Sequence, residues 1–309
     1  MYKRSVVLVI AFIVLLSLVA AAFAVPALRH RGQSSGGKIA VIYVDGVIMG
    51  GRGESTLLTQ NGGTDNLIRQ LHQARDDKDV RAVILRINSP GGSVPATQEV
   101  GEEILKLRRT GKIVVTSMGD MAASGGYWLA AVTDKIYANP ATLTGSIGVY
   151  MPYANWQELY KKIGVYQEKI KSGPHKDILS PERPMTPEER AIIQNMVNDM
   201  YEQFVKVVAE GRKMDPAKVR QLADGRIYTG RQAKDLGLVD ELGNLYDAIA
   251  GTAQLAGIHG KPQIVEYGKT NPWSVLFGAN NQLNLEQLLQ RQFQGDLPVT
   301  APLAMPVRW

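Results

Sequence analysis

No cysteine occurs among the 309 residues of this chain, and histidine is present only four times. The absence of cysteine excludes disulfides, thiolate metal sites and a cysteine nucleophile. The sequence also has no HExxH motif and no carboxylates at metal-ligand spacing, so we expect neither a metal nor another cofactor. The candidates for an imidazole base are therefore few, namely His30, His72, His175 and His259.

Concentrated positive charge is also lacking. The formal net charge is +6, but Lys and Arg form no stripe beyond short pairs such as Arg108-Arg109. Proteins that bind nucleic acids usually carry clustered basic residues, so we expect no nucleic-acid partner. The content of 45% hydrophobic and 21% charged residues is ordinary for a folded protein. The length allows one large domain or two modest ones.

Charge is absent from the N-terminal run between Ser5 and Leu28. About twenty apolar residues are enough to cross a bilayer, so we predict one transmembrane anchor over residues 5–28. The alternative is a removable secretory signal, because "AFA" at 22–24 resembles a signal-peptidase cleavage site. The run is long for the apolar region of a signal, which favours a retained anchor.

The basic residues beside this run indicate its orientation. Lys3 and Arg4 precede it, so residues 1–4 are predicted to be a cytoplasmic end. Two arginines that follow the run make this bias slight. Residues 29–37, "RHRGQSSGG", have the composition of a short flexible linker. We therefore expect a single-pass protein of the cell membrane whose main domain is extracytoplasmic.

Strand and helix patterns alternate along the first half of the main domain, with short connections between them. Four apolar runs predict strands and two amphipathic segments predict helices, the first of them capped by Thr64 or Asp65. The strands are expected at 38–48, 80–87, 112–118 and 134–140, and the helices at about 64–74 and 96–109. This alternation is typical of an α/β core with a largely parallel sheet.

A smaller helical part follows this core. Thr186-Pro187 starts a predicted helix that runs to about Glu210 before Gly211, with a capping threonine and proline at the first helical position. A further helical cluster is expected through about residue 256. The pattern weakens after residue 268, so we place the main domain at 38–268 and a variable C-terminal tail at 269–309.

Two glycine-rich stretches carry the first candidate site. "MAASGGYW" at 121–128 places Ser124 at a predicted helix start, and "INSPGG" at 87–92 follows a buried strand. The backbone N–H groups of Gly92 and Gly125 are suited to stabilise an oxyanion beside the serine hydroxyl. Each stretch also has an alternative explanation, since glycines serve in ordinary strand-to-helix turns and small residues allow close helix packing.

A third stretch, "IKSGPHKD" at 170–177, contains Lys171, His175 and Lys176. Taken alone, lysines in a loop are usually solvated surface charges.

Five stretches together resemble the signal peptide peptidase A family of membrane-anchored serine proteases. The resemblance covers about residues 38–250 and the N-terminal anchor. It implies a core like the subunits of Clp protease and crotonase. The stretches occur in the order "INSPGG", "MGDMAASGGYW", "LTGSIGVY", "IKSGPHKDILSPERPMTPEE" and "DGRIYTGRQAKDLGLVDELG".

The resemblance implies a serine–lysine dyad. Ser124 matches the nucleophile and Lys176 matches the general base, with Lys171 as the fallback base. Ser146 matches a hydroxyl that orients the lysine, and Gly92 matches the oxyanion-hole glycine. His175 remains an alternative base, although a structural role suits it better.

A lysine base must be neutral to accept the serine proton. The pKa of a free lysine is about 10.4, so working near neutrality requires lowering it by roughly 3 units, about 4 kcal/mol. Burial in an apolar pocket supplies shifts of this size. In the family this occurs by assembly: subunits form a ring-shaped homo-oligomer, and the lysine comes from a neighbouring subunit. We therefore expect Lys176 to meet Ser124 only after self-association.

The expected function is endopeptidase cleavage of remnant signal peptides and other apolar peptides at the membrane. Two other functions remain open. One is a crotonase-like enzyme that acts on acyl-CoA thioesters with a similar oxyanion hole. The other is an inactive membrane scaffold, against which the presence of both Ser124 and Lys176 argues.

Overall fold

The computed structural model describes residues 37–267 except 53, 57–58 and 62, and between 53 and 62 only the backbone of two short strands. The predicted anchor at 5–28, nearly all of the linker, and the tail at 269–309 lie outside the described residues. Within the described part of the chain, no helix has both the length and the apolar character that a bilayer crossing requires.

The described residues form ten strands and eight helices, which alternate through the first half of the chain. The strands are β1 Lys38–Ile48, β2 Glu54–Thr56, β3 Thr59–Asn61, β4 Val80–Gly92, β5 Ile113–Ala123, β6 Lys135–Ala138, β7 Leu143–Gly145, β8 Ile227–Thr229, β9 Glu241–Leu242 and β10 Gln263–Glu266. The helices are α1 Thr64–Asp76, α2 Val94–Arg109, α3 Gly125–Ala131, α4 Gln157–Lys162, α5 Pro187–Arg212, α6 Pro216–Leu222, α7 Gly230–Asp235 and α8 Leu245–Leu255.

One sheet organises the α/β fold, and its main path is parallel, as predicted. The strand order is β10-β1-β4-β5-β6-β9, and each neighbouring pair along this path is parallel. At the end of β5, β7 joins the sheet in parallel and is paired in turn with the antiparallel β8. Strands β2 and β3 form a separate antiparallel pair.

Both faces of the central strands are buried, which explains the near-continuous apolar run of β4. Val83 and Leu85 belong to the larger core, which includes apolar residues of α1, α2, α3 and α5. Ala82 and Ile84 point to the opposite face and pack with apolar residues of α8. The sheet is therefore covered by helices on both faces.

The two strands that lead to the candidate site are longer than predicted. Strand β4 continues past residue 87 to Gly92, where it is paired with Ile48 of β1. Strand β5 continues past residue 118 to Ala123, where it is paired with Gly145 of β7. The "INSPGG" stretch therefore belongs to β4 instead of following it, because pairing with β1 continues as far as Gly92.

Helix boundaries also differ in two places. Helix α1 is capped by Gly63 rather than by Thr64 or Asp65. Helix α5 begins with the predicted capping box, but it runs through Gly211. A Cβ at position 211 would lie 1.9 Å from the carbonyl oxygen of Ala131, so this glycine permits close packing of α5 on the end of α3.

Candidate active site

Ser124 occupies the junction between β5 and α3 in a backbone conformation that non-glycine residues rarely adopt. Its φ is 52° and its ψ is −121°. Such conformations cost on the order of 1–3 kcal/mol and concentrate at functional sites. Two backbone hydrogen bonds hold the junction: Ser124 N–H donates to the Gly145 carbonyl over 2.8 Å, and Trp128 N–H donates to the Ser124 carbonyl over 2.9 Å.

The hydroxyl of Ser124 is not used to cap the helix that it precedes. Ser93, at the start of α2, does accept a hydrogen bond in that way from Ala96 N–H. Ser124 is partly exposed, whereas Ala123 and Gly125 on either side of it are buried. The sheet and helix thus bury the flanking backbone and leave the serine side chain accessible.

Two glycines at the end of β4 lie directly against this junction. Gly91 has φ 99°, and a Cβ there would lie 2.7 Å from both Ser124 Cβ and Gly125 N. A Cβ at Gly125 would lie 3.4 Å from Gly92 N. The approach at Gly91 requires glycine, and the contact between Gly125 and Gly92 places the two predicted oxyanion-hole residues together beside the serine.

Buried polar side chains hold the glycine-containing end of β4 and the end of β7 in place. Ser89 is fully buried; its hydroxyl donates to the Gly46 carbonyl over 2.6 Å and accepts from Gly91 N–H over 3.1 Å. Thr144 donates its hydroxyl to the Ala122 carbonyl over 2.7 Å. Two of these bonds join neighbouring strands, β4 to β1 and β7 to β5, and the third braces the end of β4 itself, so the site backbone is held rigidly.

Ser146 also lies at this edge, because β5 and β7 are parallel and end together at Ala123 and Gly145. Its φ is 49°, the same strained region as that of Ser124. Its N–H donates to the Arg226 carbonyl over 2.8 Å. Four predicted site residues, namely Ser124, Gly125, Gly92 and Ser146, are therefore brought together by three strand ends.

The two lysines lie in a different part of the chain. Lys176 is exposed in a run of turns and bends over residues 172–179. Its ammonium has no hydrogen-bond or ion-pair partner among the residues that the structure describes, so within one chain it is not bonded to Ser124.

Lys171 is held in an ion pair instead. Its Nζ lies 2.7 Å from Asp177 Oδ1 and 3.3 Å from the Pro174 carbonyl oxygen. This Nζ is already bonded to a carboxylate, whereas a general base must be within reach of the proton that it accepts. The fallback assignment is therefore less well supported by the geometry than the assignment to Lys176.

An arginine that the sequence did not single out joins two carboxylates in this region. Arg183 bonds Asp177 through Nε and Nη2, over 3.0 and 2.7 Å, and Glu189 through Nη1 and Nη2, over 2.7 and 2.6 Å. Hydrogen bonds from Arg183, then from Lys171, hold the pKa of Asp177 well below its usual range. Arg183 is also the main cause that lowers the pKa of Glu189 to about 2.

His175 lies beside the first turn of α5. Its Nε2 is 3.5 Å from Glu188 Oε1, and its Nδ1 is 3.9 Å from Glu189 Oε1. These carboxylates are its ionic contacts among the described residues. The charges in "HKDILSPERPMTPEE", spaced six residues apart at Asp177, Arg183 and Glu189, were the available sequence signal for this cluster.

Comparisons with known proteins point to one peptidase family. Residues 106–259 match the sequence profile of peptidase family S49. A protein from Enterococcus faecium named as signal peptide peptidase SppA is 42% identical over 217 residues, which cover 70% of this chain and 63% of that protein. A protein from Methanocaldococcus jannaschii named as a protease is 38% identical over 274 residues, which cover 87% of each chain.

A longer relative is Protease 4 of Salmonella typhi, which is 42% identical over 222 residues. The match covers 72% of this chain but only 35% of the Salmonella protein. The chain thus spans about a third of that relative and less than two thirds of the Enterococcus relative.

Proposed function

This chain belongs to the signal peptide peptidase A family, peptidase family S49, and we propose that it is a serine endopeptidase with a serine–lysine dyad. The observation that carries the proposal is the junction at Ser124. There, a strained and accessible serine that does not cap its helix lies against Gly91, and the next residue, Gly125, lies against Gly92. This is the arrangement that an acyl-transfer nucleophile requires.

The proposed reaction begins when the Ser124 hydroxyl attacks the carbonyl carbon of a peptide bond. The hydroxyl proton passes to the neutral amine of Lys176, and the N–H groups of Gly92 and Gly125 donate to the oxyanion that forms. Collapse of this intermediate breaks the C–N bond, and the leaving amine takes the proton from Lys176. Water then hydrolyses the acyl-enzyme, with the same lysine accepting and returning the proton.

We propose that the lysine comes from a neighbouring copy in a ring-shaped homo-oligomer. Within one chain Lys176 is exposed, whereas a lysine base must be desolvated to be neutral near pH 7. The segment before it carries large apolar side chains in solvent: Tyr150, Tyr166 and Ile170 are 84%, 85% and 102% exposed. Large apolar side chains exposed within one segment support an interface there. In the assembly, Ser146 orients the lysine.

We further propose a Clp protease- and crotonase-like core, an anchor at residues 5–28 and an extracytoplasmic domain. The support is the sheet covered by helices on both faces and the uncharged N-terminal run. The proposed substrates are remnant signal peptides and other apolar peptides, since an anchor concentrates the enzyme where such peptides lie.

Hydrolysis of a fluorogenic apolar peptide by the full chain in detergent micelles tests this function. We expect Ser124→Ala and Lys176→Ala each to abolish turnover with the oligomer intact, while Lys171→Ala retains it. Full activity of Ser124→Ala would refute the site. An inactive Lys171→Ala beside an active Lys176→Ala would transfer the role of base to Lys171.

A further inference from the structure

Four charged side chains form a cluster that ties the Lys176 turn to the start of α5. We call Lys171, Asp177, Arg183 and Glu189 the Arg183 cluster. Two cations face two carboxylates, and every side chain of the four bonds at least one other member. Bidentate pairs between Arg and carboxylates are among the strongest and most directional hydrogen bonds in proteins.

The carboxylates of the cluster are largely buried. The carboxyl side chains are the least exposed members, at 10% for Asp177 and 1% for Glu189. Removing charges from water is costly unless each one is paired and hydrogen-bonded. Arg183 meets that need for both carboxylates, so loss of this one side chain leaves two sheltered negative charges with incomplete pairing.

The backbone around Lys176 is held by the same region. Ile178 N–H donates to the His175 carbonyl over 3.1 Å, and Ser180 N–H donates to the Asp177 carbonyl over 2.9 Å. Leu179 has φ 66°, a strained conformation that persists only where the surroundings impose it. The backbone is thus bonded on either side of Lys176, whose ammonium has no partner among the residues that the structure describes.

We propose that Arg183 is a positioning residue, which holds the Lys176 turn rigid and, with Lys171, cancels the negative charge of Asp177 and Glu189. This inference rests on the proposed role of Lys176 as the base. It adds that Arg183 of the same subunit holds Lys176 in place for that role. An uncancelled carboxylate near a lysine favours the ammonium form, which cannot accept a proton. Cancelling that charge therefore favours the neutral amine, which can accept the proton.

The segment also carries charged groups outside the cluster. Lys169 is bonded to Glu182, which forms a separate neutral pair. His175 faces Glu188 and Glu189 from the first turn of α5. The groups that face the Lys176 turn are thus Lys171, His175, Asp177, Arg183, Glu188 and Glu189.

The test compares two substitutions that change the cluster charge in opposite directions, in the full chain in detergent micelles. Arg183→Met leaves an excess negative charge, so the acidic limb of kcat/KM against pH should move by about one unit to higher pH. Asp177→Asn leaves an excess positive charge, so the limb should move to lower pH. A purely structural role would not move the limb in opposite directions.

Loss of positioning should appear separately in kcat. Arg183→Met should lower kcat at its optimum pH by roughly ten- to a hundredfold with little change in KM, since small misplacements of a catalytic group have effects of this size. Arg183→Lys keeps the charge without the bidentate geometry. Its limb should stay at the wild-type pH while kcat falls, and this variant keeps the test decisive if Arg183→Met does not fold.

The matched control is Arg220→Met, which breaks another Arg–carboxylate pair, the bond to Glu202. It should leave both kcat and the pH profile unchanged. The inference is overturned if Arg183→Met and Asp177→Asn fold and assemble but leave the limb in place, or move it the same way. Lys176→Ala separates the two hypotheses. If it is active, Lys176 is not the base. If it is inactive while the pH limbs of Arg183→Met and Asp177→Asn do not move, only the role of Arg183 is refuted.

Discussion

Ser124 and Lys176 lie in two regions of the chain that differ in burial and in how far one chain completes them. The serine region consists of paired strand ends, and its neighbours Tyr127 and Leu129 are fully buried. Between 146 and 186 the structure has no strand and a single helix of six residues, α4, and Tyr166 and Ile170 in this segment are exposed. The first region is complete within one chain, whereas the second leaves large apolar side chains exposed to solvent.

This difference explains why the backbone of Ser124 can be strained, whereas Lys176, the other member of the proposed dyad, is exposed to solvent. The sheet imposes the backbone conformation of Ser124 through packing that no other subunit needs to supply. Lys176 follows directly on His175 in the turn that the Arg183 cluster holds, and its side chain is exposed to solvent. In the proposed assembly, a neighbouring copy covers it. Substitutions in the two regions should therefore differ in effect: those near Ser124 should act within one chain, and those near Lys176 should act on assembly.

The largest effect is expected from placing a charge on the exposed apolar surface. Ile170→Asp should cost the single chain almost no stability, because this side chain already lies in solvent. A charge in a closing interface should prevent assembly and lower peptidase activity by more than about tenfold. Sedimentation velocity in detergent, beside the peptide assay, measures both.

Tyr246→Asp is the matched control, since Tyr246 is also exposed but lies on α8, outside the lysine segment. It should leave assembly and activity unchanged. An Ile170→Asp variant that assembles and cleaves like the wild type would show that this surface is not the interface.

The serine region should respond to a single added methyl group. Gly91→Ala places a Cβ 2.7 Å from Ser124 Cβ and from Gly125 N, so the junction must shift. We expect kcat/KM to fall roughly ten- to a hundredfold, as for other small displacements of catalytic groups. Steady-state kinetics and thermal unfolding of the same preparation separate activity from stability.

Gly111→Ala provides the comparison, because Gly111 has φ 85° but open space around its Cβ position. It should lose about 1 kcal/mol of unfolding free energy from backbone strain while keeping full activity. Equal losses of activity in the two variants would contradict the specific role of the Gly91 contact.

The smallest effect is expected in acid stability. Because bonding to Arg183 lowers the pKa of Glu189 to about 2, its ionised form stabilises the folded state at pH values above the ordinary Glu pKa. That contribution is lost as the pH falls from about 4.3 towards 2. Glu189→Gln should therefore lower Tm at pH 7 and flatten the fall of Tm across this window.

Glu188→Gln is the neighbouring control, since Glu188 is largely exposed and does not bond Arg183. It should keep the wild-type dependence of Tm on pH. A Glu189→Gln variant with the same acid slope as the wild type would show that the Arg183 bond contributes nothing to acid stability.

The sequence predicted the α/β alternation and the parallel sheet because apolar periodicity is a local property. The predicted lengths of β4 and β5 were too short. Residues near the ends of these strands, such as Asn88 and Gly92 in β4, are polar or small. They become strand only through pairing with β1 and β7. Gly211 was misread as a helix end because its role is contact with Ala131, which is distant in sequence.

The candidate site divides in the same way. The residue types at Ser124, Gly125 and Gly92 were readable from their motifs, and the strand ends place them together. The strained φ of Ser124 was not readable, because tertiary packing imposes it. The bonds of Arg183 were also missed, since a spacing of six residues in a loop predicts no contact without a fold.

The central claim is that one copy supplies the serine and another supplies the lysine. Co-expression of Ser124→Ala and Lys176→Ala chains, each inactive alone, tests it through the peptidase activity of the purified mixed assemblies. In a ring with head-to-tail contacts, about a quarter of the sites should then pair an intact serine with an intact lysine. We predict recovery of about that fraction of wild-type activity, and mixed assemblies that remain inactive would contradict the claim.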